Sequence, residues 1–371
     1  MKFKIDRKIM QEGIAKVGKA ITGKLGNPIL DGMYIKASNN QLTLIGSDGD
    51  TTIKTTVAAN VTEDGEIIIE PKILGEIIRK LPDEEVYFAT NEDDQLVQIK
   101  CFKSDYSLVC NNGSEYPSTV IENTVADGVH LELEQGVLKN MVKSVQFAAA
   151  DSDARPVLKG IYLEAANSVL TLVAIDGYRL AKKKIELDTE HEVSAIIDAK
   201  LFNDISKLWK DTEEKVSLSI GRNQIGFEFD DTTVTLRLID GNFISYQSLI
   251  PSTESASSIQ VKRTELIAAI NRVSVMSDSH NHLAKLDISD RLMVVSAKSN
   301  LGQVTEDIEL SDDIANPLTI AFNAKYLLDV LNVIDDENVI LNLISPVSPC
   351  VMQGVNDTTG EYLVLPVRMT R

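Results

Sequence analysis

The chain has 371 residues, 43% of them hydrophobic and 25% charged, and 55 acidic against 37 basic side chains leave a formal net charge of −18. That length allows two to three domains of about 100–200 residues, and no apolar run approaches the roughly 18–20 residues of a membrane-spanning helix. The acidic balance argues against nucleic acid as a partner if the charge is evenly spread.

The N-terminal MKFKIDRKIM alternates polar and apolar residues and lacks the apolar core of a signal peptide, so cytoplasm is the expected compartment. FKID reads as a short strand. The helix after it places Ile9, Met10, Ile14, Val17 and Ile21 on one apolar stripe. Glu66–Pro82 (EIIIEPKILGEIIRKLP) repeats the scheme of apolar strand, polar start and amphipathic helix. Alternating runs such as VYFAT and LVQIKCF follow and read as strands of antiparallel sheets.

The scheme then starts again. Leu131 and Leu133 lie in a strand, and Val137, Leu138, Met141, Val142 and Val145 form the next stripe. Leu158–Leu180 (LKGIYLEAANSVLTLVAIDGYRL) restates Leu30–Gly49 without a gap at an offset of 128, matching Leu30/Leu158, Gly32/Gly160, Tyr34/Tyr162, Asn39/Asn167, Asp48/Asp176 and Gly49/Gly177 among others. Val193–Trp209, Ile259–Ser277 and Leu318–Val333 open three further strand–helix units. Self-similarity at a fixed period outranks local readings of a fold. Six units in pairs, with polar joins near Glu122–Gly128 and Ser252–Ser258, give an α+β chain of three repeated domains, 1–124, 125–254 and 255–371.

Charge is unevenly placed. The proposed helices carry Arg7, Lys8, Lys16, Lys19, Lys72, Arg79, Lys80, Lys139, Lys143, Lys200, Lys207, Lys210, Arg263, Arg272 and Lys325, against Glu12, Glu76, Asp204, Glu265 and Asp329. In so acidic a chain the sheets and loops must then be more acidic still. A basic helix face on a negative body suits a surface that meets phosphate while the rest repels it.

Catalytic parts are hard to find. Cys101, Cys110 and Cys350 include no CxxC, which argues against a disulfide framework or a zinc site. His280 and His282 lack the partners of a metal motif. GxGxxG, a phosphate-binding Walker loop and GxSxG are all missing. No cofactor or metal is expected, and the chain reads as having no active site of its own. Two readings of other classes remain: an enzyme of nucleic-acid metabolism whose acids bind magnesium, and a repeat-built protein scaffold.

The strand–helix repeat, the MKF start, VAIDGYRLA, LIDGNFISYQSLIP and the closing EYLVLPVRM together resemble the bacterial DNA polymerase III beta subunit, the sliding clamp, in register along the whole chain. The resemblance implies a non-catalytic homodimeric ring of three clamp domains per chain. Helices line the hole around double-stranded DNA, contacted without regard to sequence, and antiparallel sheets lie outside. It assigns Lys24 and Arg155 to DNA, together with the helix residues Lys72, Arg79, Lys139, Lys143, Lys200 and Lys207. Ring closure falls on Tyr106 and Leu108 of one copy and Val275 and Met276 of the other. The DNA polymerase III alpha subunit, the clamp loader and other proteins carrying clamp-binding peptides are the implied partners. Their groove maps to Leu158, Ile175, Gly177, Tyr178, Arg179, Leu180, Ile244, Leu249, Val364, Leu365, Pro366, Val367, Arg368 and Met369, with Arg179 and Arg368 offered to the peptide's carboxylates or carbonyls. This chain departs from the family at Pro156-Val157 (an aromatic pair), Ile244 (a proline), Ser248 (an arginine) and Asn281 (an aromatic), and it continues through Thr370-Arg371.

Overall fold

A computed structural model describes residues 1–23, 27–91, 95–123, 125, 128–152, 154–253, 256–277 and 282–369. Lys24, His280, Asn281, Thr370 and Arg371 lie outside the described residues. Among the described residues there are seven helices: α1 (Arg7–Val17), α2 (Pro71–Lys80), α3 (Ser118–Ile121), α4 (Gln135–Val145), α5 (Ala199–Ser206), α6 (Arg263–Ser274) and α7 (Ala324–Leu331). Six of them are the helices expected from the repeat; the single turn α3 is additional.

A strand end passes into a helix through a polar residue that satisfies the first backbone N–H groups. Asp6 Oδ1 accepts from the Lys8 and Ile9 amides at 2.8 and 3.1 Å. Glu70 accepts from Lys72 and Ile73 with Pro71 in the first turn. Asp198 and Asn323 do the same for Leu201 and Lys325. The buried face of α1 is Met10, Gly13, Ile14 and Val17. Ile9, expected on that stripe, is 39% exposed, because a residue one step from Met10 is turned about 100° away from it.

The contacts divide the chain into two compact units. The first comprises residues 1–138 with 204–238. It holds a five-stranded antiparallel sheet in the order Asn60–Glu63, Lys2–Asp6, Glu85–Thr90, Leu96–Cys101, Ser104–Val109. A nine-stranded sheet runs from Asn111–Asn112 through Thr51–Ala58 and Thr232–Arg237 to Val129–Glu134. The second unit comprises residues 139–203 with 239–371. Its eight-stranded sheet runs from Val193–Asp198 through Arg179–Glu186 and Gly360–Val364 to Ser257–Lys262. Leu283–Ser299 and Gly302–Asn323 form a long two-stranded hairpin beside it.

Both long sheets contain the same junction. Thr51–Ala58 pairs with Thr232–Arg237, Thr55 opposite Thr232 and Thr51 opposite Leu236. Arg179–Glu186 pairs with Gly360–Val364, Lys183 opposite Gly360 and Arg179 opposite Val364. Each member of the second set is its counterpart displaced by 128 residues. One offset before Thr232–Arg237 lies Ser104–Val109. It pairs with Leu96–Cys101 on one side and, among the described residues, with nothing on the other.

The repeat also holds at the level of atoms. Asn39 and Asn167 both turn their hairpins at positive φ (52° and 51°), a region that asparagine tolerates better than most residues. A Cβ at Gly32 would sit 2.3 Å from Ile68 Cγ2, and one at Gly160 would sit 2.3 Å from Ile196 Cγ2. Both glycines admit a neighbouring isoleucine that a side chain would displace. Gly160→Ala is therefore expected to destabilise the chain by about 1–3 kcal/mol, the usual range for overpacking a core, read as a lower urea midpoint with an unchanged slope.

Candidate functional site

The groove residues all belong to the second unit. Leu158, Ile175 and Leu180 form a buried apolar cluster with Val173, Tyr246 and Leu363, and Ile244 packs against it. The turn after Ile175 is made by Asp176, whose Oδ1 accepts from the Tyr178 and Arg179 amides at 2.8 and 3.0 Å, with Gly177 at φ 93°. The first repeat builds this turn with Asp48, which accepts from Asp50 and Thr51 at 3.2 and 2.8 Å, and with Gly49 at φ 88°. The residues that follow differ. In the second copy the turn presents Tyr178, 61% exposed, its ring 6.1 Å from that of Tyr326 on α7.

The C-terminal segment is strapped to this turn. Leu365 N–H donates to the Tyr178 carbonyl at 2.9 Å, and Val367 N–H donates to the Ala321 carbonyl at 2.7 Å. Leu365, Met369 and Leu249 remain about two-fifths exposed (37, 42 and 42%), Arg368 is exposed, and Pro366 and Val367 are half-buried. A shallow surface of aliphatic side chains beside a row of backbone groups is suited to an extended peptide with hydrophobic anchors.

Two expected lining residues have other tasks. Val364 is fully buried in its strand. Arg179, 9% exposed, is committed inside the chain. Its Nε donates to Asp176 at 3.0 Å, its Nη1 donates to Asp329, and its guanidinium lies 4.5 Å from the Tyr326 ring centroid and 5.3 Å from that of Phe147. Burying a guanidinium in this way is costly unless carboxylates face it, as Asp176 and Asp329 do. Arg179 thus ties the turn to α7, and of the two arginines only Arg368 is exposed for a partner. Burial, chiefly, and then Asp176 push the Tyr326 hydroxyl pKa upward. Tyr326, Phe147 and Asp329 were not legible as neighbours of this turn, since they come from segments far apart in sequence.

The basic helix residues separate by their partners. Lys72, Arg79, Lys143 and Lys200 are exposed and make no ion pair among the described residues. Arg155, just before Pro156, is exposed as well. Lys139 is half-buried, and Lys207 is held by Asp204 at 2.7 Å. Lys19 donates to the Asp204 carbonyl at 3.0 Å, and burial, opposed by Asp204 and aided by Lys207, lowers its pKa. Not every helix cation is available. Arg263 turns back onto the Asp336 and Leu331 carbonyls, and Lys210, expected on α5, lies beyond its end and pairs with Glu214 and Asp230. Ion pairs form on helices and strands alike: Arg7 and Lys8 with Asp83, Arg272 with Glu306, Lys182 with Glu361 at 3.0 Å, Lys215 with Glu134 at 3.6 Å and Lys285 with Asp287 at 2.7 Å. No group of three or more His, Cys, Asp or Glu among the described residues is placed to hold a metal ion.

The third set of residues lies at strand and helix ends. Tyr106 and Leu108 stand opposite Ile99 and Val97 on the apolar face of the edge strand, Tyr106 38% exposed and Leu108 half-buried. Val275 and Met276 follow the last residue of α6, and Val275 is 79% exposed. Leu301, at the tip of the long hairpin, is 90% exposed. Its neighbour Gly302 lies close to the Met276 methyl, 2.9 Å from where a Cβ would be. Sequence reading missed Leu301. A lone leucine in a Gly-containing turn carries no periodicity to find it by.

Three family models match in order: the DNA polymerase III beta subunit N-terminal domain over residues 1–120, the central domain over 132–244 and the C-terminal domain over 247–368. The beta sliding clamp of Staphylococcus epidermidis is 29% identical over 379 residues, covering 99% of both chains. The crystal structure of the DNA polymerase sliding clamp from Bacillus subtilis superposes with a TM-score of 0.94 at 28% identity, with complete coverage of both chains. A sliding clamp from Pseudomonas aeruginosa bound to griselimycin matches over the full length of both chains at 25% identity and a TM-score of 0.93. No helix among the described residues is long and apolar enough to cross a membrane. With its three domains matched in sequence order and its α+β fold reproduced end to end, the chain belongs to the DNA polymerase III beta subunit family.

Proposed function

We propose that this chain is a cytoplasmic sliding clamp, a non-catalytic subunit whose two copies close head to tail around duplex DNA. In this reading its clamp domains are 1–124, 125–254 and 255–371. It tethers the DNA polymerase III alpha subunit, the clamp loader and other proteins carrying clamp-binding peptides.

The observation that carries this reading is the repeated sheet junction. The chain makes it twice internally, and Ser104–Val109 is the strand left over. Its complement is also present. Leu283–Ser299 pairs with Gly302–Asn323 as a hairpin, as Gln41–Ser47 pairs with Thr51–Ala58 and Val169–Ile175 with Arg179–Glu186. The segment beginning at Gly302 therefore corresponds to Thr51–Ala58 and Arg179–Glu186. Applying the junction between two copies pairs Ser104–Val109 with the segment beginning at Gly302. A contact between unlike surfaces closes into a ring when the rotation per subunit is right.

Lys72, Arg79, Lys143 and Lys200, exposed and without an ion pair among the described residues, supply with Arg155 and Lys24 phosphate contacts that specify no bases and so permit sliding. Enclosure, rather than tight binding, then keeps the partner on its template. The groove from Leu158 to Met369 takes the peptide. Loaded onto DNA by a clamp loader, the protein is expected to stay on a circular duplex through gel filtration and to be lost when a single cut makes the duplex linear. Equal retention on both topologies would refute enclosure.

A further inference from the structure

One carboxylate joins the two walls of the groove. Glu164, on the strand Gly160–Ala166, accepts from the Tyr162 hydroxyl at Oε1 (3.2 Å) and from the Tyr246 hydroxyl at Oε2 (3.0 Å). Tyr162 stacks on Phe243, centroids 4.9 Å apart and planes 4° from parallel. Tyr246, 4% exposed, lies in the same cluster as Leu158, Ile175 and Leu180. The segment Phe243–Leu249, which presents Ile244 and Leu249, is thus held on the sheet by one ring stack and one shared acceptor.

The first repeat shows what this arrangement adds. Tyr34, the counterpart of Tyr162, also sits in a buried cluster, with Leu30, Ile45, Ile68 and Tyr116. The counterpart of Glu164 there is Lys36. Tyr34 bonds instead to Glu66 at 2.6 Å, and the Tyr116 hydroxyl is buried without a partner among the described residues. Of these two copies, among the described residues, it is the one carrying the exposed Tyr178 and the strapped C-terminal segment that has a carboxylate placed between its two tyrosines.

We propose that Glu164 is a positioning residue for peptide recognition, and this rests on the groove reading above. It touches no bound peptide; it fixes the wall that carries Ile244 and Leu249 through the Tyr246 hydroxyl. Without the bridge the wall must be ordered at the moment of binding, which weakens affinity and speeds release.

The test uses the full chain and a labelled short peptide with leucine and phenylalanine anchors, followed by fluorescence anisotropy and stopped flow. Glu164→Ala and Tyr246→Phe are each expected to weaken binding about tenfold, mainly through faster dissociation. The double variant should lose no more than either single one, because both remove the same link. Glu164→Gln, whose amide oxygen still accepts from Tyr246, should bind within about threefold of the native chain. Unchanged affinity in Glu164→Ala, additive losses in the double variant, or failure of Glu164→Gln to retain binding would overturn the positioning role. Absence of binding by the native chain would instead overturn the groove reading.

Discussion

Leu108→Asp is expected to convert the proposed dimer into monomers, seen by light scattering as a halving of mass with the circular dichroism unchanged. Leu108 points to the same side of its strand as Tyr106, over Val97 and Ile99, and its strand is an edge. In the proposed closed pair that side would be covered by Val275 and Met276 of the other copy. Placing a carboxylate there buries a charge with no cation set to receive it, at a cost of several kcal/mol per site. A two-fold ring contains the site twice, so the loss in association is about doubled. The monomer itself tolerates the change, because without a partner the aspartate remains at a half-exposed edge. Charged residues on edge strands are a common means of preventing strand-to-strand association. A dimer that persists would place the contact elsewhere.

Removing residues 365–371 should abolish peptide and polymerase binding, by about 100-fold or more in affinity, while leaving most of the fold. The strand Gly360–Val364 survives the truncation with its pairings to Arg179–Lys183 and to Cys350–Met352. What goes is the strap from Tyr178 to Ala321 and the exposed Leu365, Arg368 and Met369. Hydrophobic anchors concentrate binding energy in a few side chains, so losing one wall of their pocket costs far more than its share of area. Isothermal titration with a peptide, alongside thermal unfolding, separates the two effects. Unchanged affinity after truncation would move the site away from this groove.

Much of this was legible because the chain states itself more than once. Leu30–Gly49 and Leu158–Leu180 constrain each other, and the turns at Asp48 and Asp176 have the same hydrogen bonds and the same positive φ at glycine. The six helices followed from apolar periodicity with polar residues at their starts. Harder to read was anything decided by distant segments. Arg179 looked like a binding arginine because its partners Asp329, Tyr326 and Phe147 lie on elements that periodicity does not bring together. Val364 belongs to an apolar run whose strand alternation does not say which residue ends inside. Likewise, no local pattern separates Lys207, paired with Asp204, from Lys200, which has no ion pair among the described residues. Helical spacing puts a lysine on a face; ion pairing is settled by what the fold brings opposite it.

The matched junctions bear on how such a ring opens. Two of the three kinds of seam join strands already connected through one polypeptide, so their pairing is intramolecular and favoured by a high local concentration of one strand around the other. In the proposed ring the seam at Ser104–Val109 would have the same strand geometry and no tether. Even with identical contacts it is the weak one, by the whole entropic cost of bringing two free bodies together. Dilution acts on it alone. A ring built this way needs no special hinge to choose its opening point: connectivity makes the choice, and a loader has only to compete with one untethered strand pair.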